Sequence, residues 1–243
     1  MVVVTGGGRG IGAGIAALAA TNGAEVRVLD LDCDFADESY ASLPLSERCR
    51  IEFIRCDVSN RADVDHTAER LAREGTRLSL WVNNAGIVQT AGLSEIDVEM
   101  FHQILDVNLL GAIFGSRAAA ALMRPHRAGS IINISSMTAQ RPLPGRLLYG
   151  SSKAALGHAT RSIAKELAPD HITVNAIAPV STETALLNAA YPDEGSRRRR
   201  MDAIPLGRFC QPRDIANMAL YIGCPRASFI TGQLIMIDGG ASL

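Results

Sequence analysis

Val2-Val3-Val4-Thr5-Gly6-Gly7-Gly8-Arg9-Gly10-Ile11-Gly12 is the stretch that decides the fold. A short β-rich apolar run passes into a glycine-rich turn, and beyond Gly10 the apolar residues Ile11, Ile15 and Leu18 fall at helical spacing. Asn22-Gly23 supplies a helix stop, and a second β-rich run follows at Glu25–Leu29. The stretch therefore reads as β-α-β. Glycines at the turn let a ligand approach the backbone closely, while the helix N-terminus presents unpaired N–H groups and a partial positive charge. A pyrophosphate is the expected occupant, with Gly6, Arg9, Gly10, Ile11 and Gly12 as its candidate contacts.

The same alternation runs the length of the chain. Further β-rich runs occur at Ile51–Cys56, Leu78–Val82, Ser130–Ile134, Ile172–Ala176 and Leu234–Ile237, most of them between helix-like segments. Seven strands with helices on both faces predict an α/β protein built on a parallel, doubly wound sheet. No linker or change of composition divides residues 1–243, so one domain is expected. Residues 184 to about 205 lack regular periodicity, carry Tyr191-Pro192 and contain Arg197 to Arg200, and this segment is read as a mobile flap over the site. Four isolated charges read more simply as a solvated helix face than as a ligand site.

Composition narrows the function. With 243 residues, 47% hydrophobic and 20% charged, the chain has material for a large core, which excludes a disordered or fibrous protein. A net charge of -1 gives no field to hold nucleic acid or an acidic membrane surface, leaving small molecules as the expected partners. Runs such as Ala118 to Met123 fall well short of the roughly 20 apolar residues of a membrane span. Residues 2–5 already read as a strand, leaving no room for a signal segment. The cysteines Cys33, Cys49, Cys56, Cys210 and Cys224 are odd in number and form no C-x-x-C pair, which points to a reducing, cytoplasmic setting. His66, His102, His126, His158 and His171 have no ligand spacing with them, so no metal is expected.

Asp30 ends the second strand, where a carboxylate can accept hydrogen bonds from both hydroxyls of an adenosine ribose. The same charge repels a 2′-phosphate, and Leu31-Asp32-Cys33-Asp34 adds only negative charge, so NAD is favoured over NADP. Arg9 pulls toward NADP. A helix N-cap is the plainer use of Asp30.

Only two of the 24 basic residues are lysines, Lys153 and Lys165. Lys153 stands four residues after Tyr149 on a helical segment, so both side chains leave one face. An ammonium about 5 Å from a phenol, at an effective dielectric near 20, favours the phenolate by roughly 3 kcal/mol, or about two pKa units. That arrangement makes a tyrosine usable as acid and base, although a Tyr and a Lys also meet by chance on amphipathic helices. Ser136 closes the Ile131–Ile134 strand at the ligand crevice, where its hydroxyl can polarise a carbonyl; Ser135 should point the other way. Asn108 lies in an apolar helical stretch and needs partners there, for instance a water leading to Lys153.

Together, Thr5-Gly6-x-x-x-Gly10-x-Gly12, Asp57-Val58, Asn83-Asn84-Ala85-Gly86, Asn108, Ser136, Tyr149-x-x-x-Lys153 and Asn175-Ala176-Ile177-Ala178-Pro179 resemble the short-chain dehydrogenase/reductase family from end to end. The tail, with Pro205-Leu206-Gly207-Arg208 and Ile230-Thr231-Gly232-Gln233, is similar as well. The resemblance implies a Rossmann-type sheet, a homotetramer, and a catalytic tetrad of Asn108, Ser136, Tyr149 and Lys153. It implies that Tyr149 exchanges a proton with the alcohol while hydride passes to a nicotinamide, and that Lys153 also bonds the nicotinamide ribose. By the same resemblance Asp57 and Val58 hold the adenine, Asn84 contacts cofactor through its backbone, and Thr182 and Thr184 meet the nicotinamide amide and phosphates. Where most members have Pro-Gly, this chain has Pro179-Val180, which restricts the path into the flap.

The expected substrate is a secondary alcohol or ketone of the sugar alcohol, hydroxy acid or 3-oxoacyl type. Its recognition falls to Gln140–Leu148 and the flap, with Gln140 and Arg146 as candidates. Arg146 either turns inward to hold a carboxylate, sulfonate or phosphate, or lies on the surface, the default in so arginine-rich a chain. Competing readings are an NADP-dependent 3-oxoacyl thioester reductase, a nucleotide-sugar epimerase, for which the chain is short, and a catalytically silent NAD(P)-binding sensor or scaffold.

Overall fold

The computed structural model describes residues 1–32, 35 and 37–243, and of Leu186 and Ala189 the backbone alone. Cys33 and Asp34, part of the acidic stretch invoked against NADP, lie outside the described residues. In chain order the elements are β1 (Val2–Thr5), α1 (Gly10–Thr21), β2 (Val26–Asp30), α2 (Glu38–Ala41), α3 (Leu45–Arg48), β3 (Ile51–Arg55), α4 (Arg61–Glu74) and β4 (Leu80–Asn83). They continue with α5 (Val98–Leu105), α6 (Gly111–Met123), β5 (Gly129–Ile134), α7 (Leu147–Leu167), β6 (Ile172–Pro179), α8 (Ala185–Ala190), α9 (Glu194–Asp202), α10 (Pro212–Ile222) and β7 (Leu234–Ile237).

The seven expected strands form one sheet in the order β3-β2-β1-β4-β5-β6-β7, and every pairing is parallel. β1 pairs with β2 on one side and β4 on the other, so the direction of winding reverses there and a crevice opens at the strand ends. β1 illustrates why the pattern works. Val2 and Val4 pack with α1 and α10 on one face, and Val3 with α4, α6 and α7 on the other. Two apolar layers bury the sheet on both sides, which is why its strands read as continuous hydrophobic runs.

Two segments depart from the sequence reading. Residues 98–126 form one continuous helical run through α5, a π-helical turn at Asp106–Leu110, and α6. By length and composition this run could cross a membrane, contrary to the judgement based on consecutive apolar residues. Half of its most apolar window is buried inside the molecule, where Ala118, Ala119 and Met123 pack against Trp81 and Ile131, so it serves as a core helix. Residues 184–205, aperiodic in sequence, hold α8 and α9. The arginine run lies on α9: Arg197 pairs with Glu183 and stacks on Phe209, Arg198 pairs with Asp202, and Arg200 donates to Ser181 Oγ.

Candidate active site

At the mouth of β1 the glycine loop is pinned from below. Thr5 Oγ1 accepts the N–H groups of Asn84 and Ala85 at 3.0 and 3.1 Å, and Asn84 Nδ2 donates to the carbonyls of Thr5 and Gly6 at 3.1 and 2.7 Å. Gly6 has φ +61°, and a Cβ there would lie 2.6 Å from Ala85 Cα, so only glycine fits. Asn84 thus acts through its side chain on the loop itself.

Asp30 reaches the same loop from β2. Its Oδ2 accepts Gly8 N–H at 2.7 Å and its Oδ1 accepts Leu31 N–H at 2.8 Å, so it caps its own turn and holds the loop rather than capping a helix. A Cβ on Gly8 would stand 2.9 Å from Asp30 Oδ2, so glycine lets the loop backbone close onto the carboxylate. Arg9 is exposed at the N-cap of α1, and Ile11 packs into the core. Thr184 lies over Gly10, its Cγ2 3.0 Å from where a Cβ would be. The bare backbone, the helix N-terminus and the neighbouring carboxylate fit a dinucleotide.

Other candidate cofactor contacts have partners of their own. Asp57 Oδ1 accepts from Ser59 N and Oγ, and Val58 packs on Gly111. Thr182 is buried and donates to Val180 O at 2.9 Å. Val180 itself fills the core, and its N–H extends the ladder to Ile237 O at 3.1 Å.

The chemistry gathers on the first turn of α7. Ser136, just past the end of β5, accepts from Thr138 N and Oγ1 at 3.2 and 2.9 Å, and its hydroxyl pulls the Tyr149 phenol toward ionisation. Lys153 Nζ sits 5.8 Å from the centre of the Tyr149 ring and donates to Ile134 O at 2.8 Å. Ser135 points away as expected and donates to Lys153 O at 3.0 Å. Asn108 is buried in the π-helical turn. Its Oδ1 accepts Ile87 N–H at 2.8 Å, and its Nδ2 donates to Ile87 O at 2.9 Å and Ser152 Oγ at 3.1 Å. Ser152 in turn donates to Tyr149 O at 2.7 Å, so Asn108 ties the loop after β4 to the turn that carries Tyr149. A Cβ on Gly86 would stand 3.2 Å from Asn108 Oδ1 and 3.3 Å from Lys153 Nζ.

Burial governs the titration of this cluster. It lifts the Tyr149 phenol above its ordinary value, against the opposing pull of Ser136 and Arg146, and it brings the Lys153 ammonium down to about 8. Attraction to an ammonium alone would lower the tyrosine, but desolvation outweighs it, so the expected lowering is reversed in direction.

Sequence reasoning missed several groups. Asp37 caps α2 by accepting Ser39 N–H and also accepts Gly10 N–H at 2.8 Å, while the buried Tyr40 hydroxyl donates to Gly7 O at 2.5 Å. Asn83 Nδ2 donates to Ser116 Oγ and Asn133 Oδ1 and its Oδ1 accepts Trp81 Nε1–H, a buried network that Asn133 extends to Thr160. Beside the substrate loop, Gln89 Oε1 is buried without a partner among the described residues. Gln140 is exposed, and Arg141 is occupied by the carbonyls of Ala241 and Leu243 at 2.8 and 3.2 Å.

Comparison with known proteins agrees with this geometry. A family model described as enoyl-(acyl carrier protein) reductase matches residues 6–242. The chain is 32% identical over 241 residues to 3-oxoacyl-[acyl-carrier-protein] reductase of Chlamydia muridarum, spanning 98% of this chain and 95% of that one. It is 34% identical over 242 residues to 3alpha-hydroxysteroid dehydrogenase of Mediterraneibacter gnavus, spanning 99% and 96%. The crystal structure of 3-ketoacyl-(acyl-carrier-protein) reductase from Brucella melitensis complexed with NADH superposes with a TM-score of 0.89 at 32% identity, covering 100% of this chain and 98% of that one. With the glycine loop, the Tyr149–Lys153 turn and matches across nearly its whole length, the chain belongs to the short-chain dehydrogenase/reductase family.

Proposed function

We propose that this protein is an NAD-dependent oxidoreductase that interconverts a secondary alcohol and its ketone, with Tyr149 as the acid and base. The observation that carries the reading is the Lys153 ammonium beside the Tyr149 ring, 5.8 Å from its centre, with Ser136 favouring the ionised phenol. A bound nicotinamide dinucleotide supplies the hydride acceptor or donor. Gly6, Arg9, Gly10, Ile11 and Gly12 hold its pyrophosphate, Asp30 its adenosine ribose, Asp57 and Val58 its adenine, and Asn84, Thr182 and Thr184 complete the seat. Asp30, fixed at the rim of the glycine loop by Gly8 and Leu31, places negative charge where NADP would bring a 2′-phosphate, which supports NAD.

Ser136 steadies the substrate oxygen and Tyr149 transfers the proton to or from it. At neutral pH the raised Tyr149 is a phenol, the form that donates its proton in carbonyl reduction. Alcohol oxidation needs the phenolate, so it quickens as pH rises. Asn108 holds Ile87 and, through Ser152, the turn that carries Tyr149. Gln140 and the segment 184–205 shape the substrate end, and the working molecule is a cytoplasmic homotetramer of one-domain subunits.

The test is a fluorescence titration with NADH and NADPH alongside an absorbance screen of secondary alcohols, polyols, hydroxy acids and acyl thioesters. NADH binds more tightly than NADPH, and Tyr149→Phe binds NADH normally while losing about 10²–10⁴-fold in turnover. Failure of both nucleotides to bind, or full turnover by the variant, removes this reading.

A further inference from the structure

We infer that Arg146 sets the substrate class: the alcohol or ketone carries an anionic group a few bonds from its reacting carbon, and the Arg146 guanidinium receives it. The inference rests on the oxidoreductase reading and deepens it. Six other arginines are partly buried, and each ends on a partner. Arg27 pairs with Glu52 and Glu74, Arg50 with Glu25, Arg70 with Glu52 and Glu74, and Arg197 with Glu183. Arg48 donates to Tyr40 O and lies over Phe35, and Arg200 donates to Ser181 Oγ. Arg146 is the exception. It is partly buried, and its guanidinium makes no hydrogen bond, ion pair or ring contact with a described residue. Partial desolvation of a charge without a partner is unfavourable, and a plain surface arginine would stay solvated, as Arg9 and Arg73 do.

Its place in the fold adds to the anomaly. Arg146 is the N-cap residue of the 21-residue helix α7, which has no capping side chain and no acidic residue in its first turn. A cation at the positive end of a helix is electrostatically misplaced, and an anion seated on it relieves that repulsion along with the missing partner. The backbone beneath is fixed: Arg146 N–H donates to Leu143 O and Gly145 O accepts Ala91 N–H, both at 3.1 Å, and Arg141 ties the other end of the loop to residues 241–243. The guanidinium therefore springs from a prepared position, which limits the ordering lost on binding.

The distance to the chemistry selects the kind of anion. Arg146 precedes Tyr149 by three residues, a rise of about 4.5 Å along the helix. Its charge already acts on the Tyr149 phenol. An anion on Arg146 thus belongs to a small molecule whose carboxylate, sulfonate or phosphate lies near the carbonyl, as in short hydroxy and keto acids.

The experiment compares matched pairs, each a short keto acid and its methyl ester, together with a phosphorylated ketone and a 3-oxoacyl pantetheine thioester. Wild-type kcat/KM is expected to favour the anionic member over its ester by about 30-fold or more. In Arg146→Gln, KM for the anionic member rises about 10- to 100-fold, kcat changes little, and KM for the ester and the thermal midpoint stay put. Arg146→Lys recovers part of the loss, since it keeps the charge without the forked geometry. Equal use of acid and ester, or a variant that loses both alike, overturns the inference while the oxidoreductase reading stands. A wild-type preference for the thioester with KM insensitive to Arg146→Gln does the same. Absence of turnover on every alcohol and ketone, with no nucleotide bound, removes both.

Discussion

Around the first turn of α7 the polar side chains end on partners, whereas the loop that leads into that helix presents a guanidinium with none. Asn108, Ser135, Ser136, Ser152 and Lys153 are buried: Asn108 and Ser152 bond each other, Ile87 and Tyr149 O, Ser135 bonds Lys153 O, Lys153 bonds Ile134 O, and Ser136 bonds Thr138. Among the described residues, the hydrogen bonds that anchor residues 140–146 run through their backbone and through Arg141. The contrast separates two kinds of function. The floor of the crevice fixes atoms for one reaction and accepts the desolvation this entails, while the rim keeps bonding capacity in reserve for whatever molecule arrives.

The largest test of that contrast is Lys153→Met, in which the floor should lose activity and gain stability. Burial holds the folded Lys153 near 8, against an ordinary value of 10.5. Between those values the unfolded chain binds the extra proton, so stability rises with pH through that window and the penalty is complete below it. At about 1.4 kcal/mol per unit, the buried ammonium costs up to about 3 kcal/mol at pH 7, offset in part by its bond to Ile134 O. Lys153→Met is expected to lower turnover by about 10²–10⁴-fold while raising the thermal midpoint at pH 7, with the gain shrinking toward pH 10.5. Melting curves at several pH values check the sign. A variant less stable at pH 7 would show that the ammonium holds the floor together.

Asn108→Leu should lower both quantities. The substitution leaves the N–H and C=O of Ile87 without their side-chain partner, at about 1–3 kcal/mol each if water does not replace it. It also cuts the tie through Ser152 to Tyr149 O. A stability loss of about 2–4 kcal/mol and a fall in kcat of about 10- to 100-fold are expected, read from denaturant midpoints and initial rates. If stability falls and kcat does not, the tie to the catalytic turn carries no positioning role.

How much of this was legible in the sequence follows the same division. The glycine loop, Asp30 and the Tyr149–Lys153 pair announce themselves because spacing alone places them: a turn after a strand, a strand end, one helix face. The strands were legible to within a few residues, since burial on both faces writes continuous apolar runs. Helices α8 and α9 were not: α8, though apolar, is only six residues long, and α9 carries too few apolar residues to show a periodicity. The 98–126 run escaped a count of consecutive apolar residues because polar groups interrupt it on the sheet-remote face and at Asn108. The direction of the Tyr149 shift is a tertiary property, set by desolvation that no local spacing reports. Asp37 belongs to the same class: its partner Gly10 lies 27 residues away.

Asp37→Asn has the smallest expected effect and bears on the other end of the crevice. The carboxylate caps α2 through Ser39 N–H at 2.9 Å and takes Gly10 N–H at 2.8 Å, at the N-terminus of α1 where a pyrophosphate should bring its own charge. Two anions near one helix end repel each other. At a separation of about 6–8 Å and an effective dielectric of 40 or more, the repulsion amounts to about 1 kcal/mol. An asparagine keeps an acceptor for Ser39 and removes the charge, so stability should fall by less than about 1 kcal/mol. NADH binding should tighten about three- to tenfold by fluorescence titration, with NADPH gaining in parallel because Asp30 is untouched. Weaker NADH binding in Asp37→Asn would mean that this carboxylate shapes the glycine loop for the dinucleotide instead of opposing it, and the glycine loop would then join the catalytic floor as a region whose every contact is already in place.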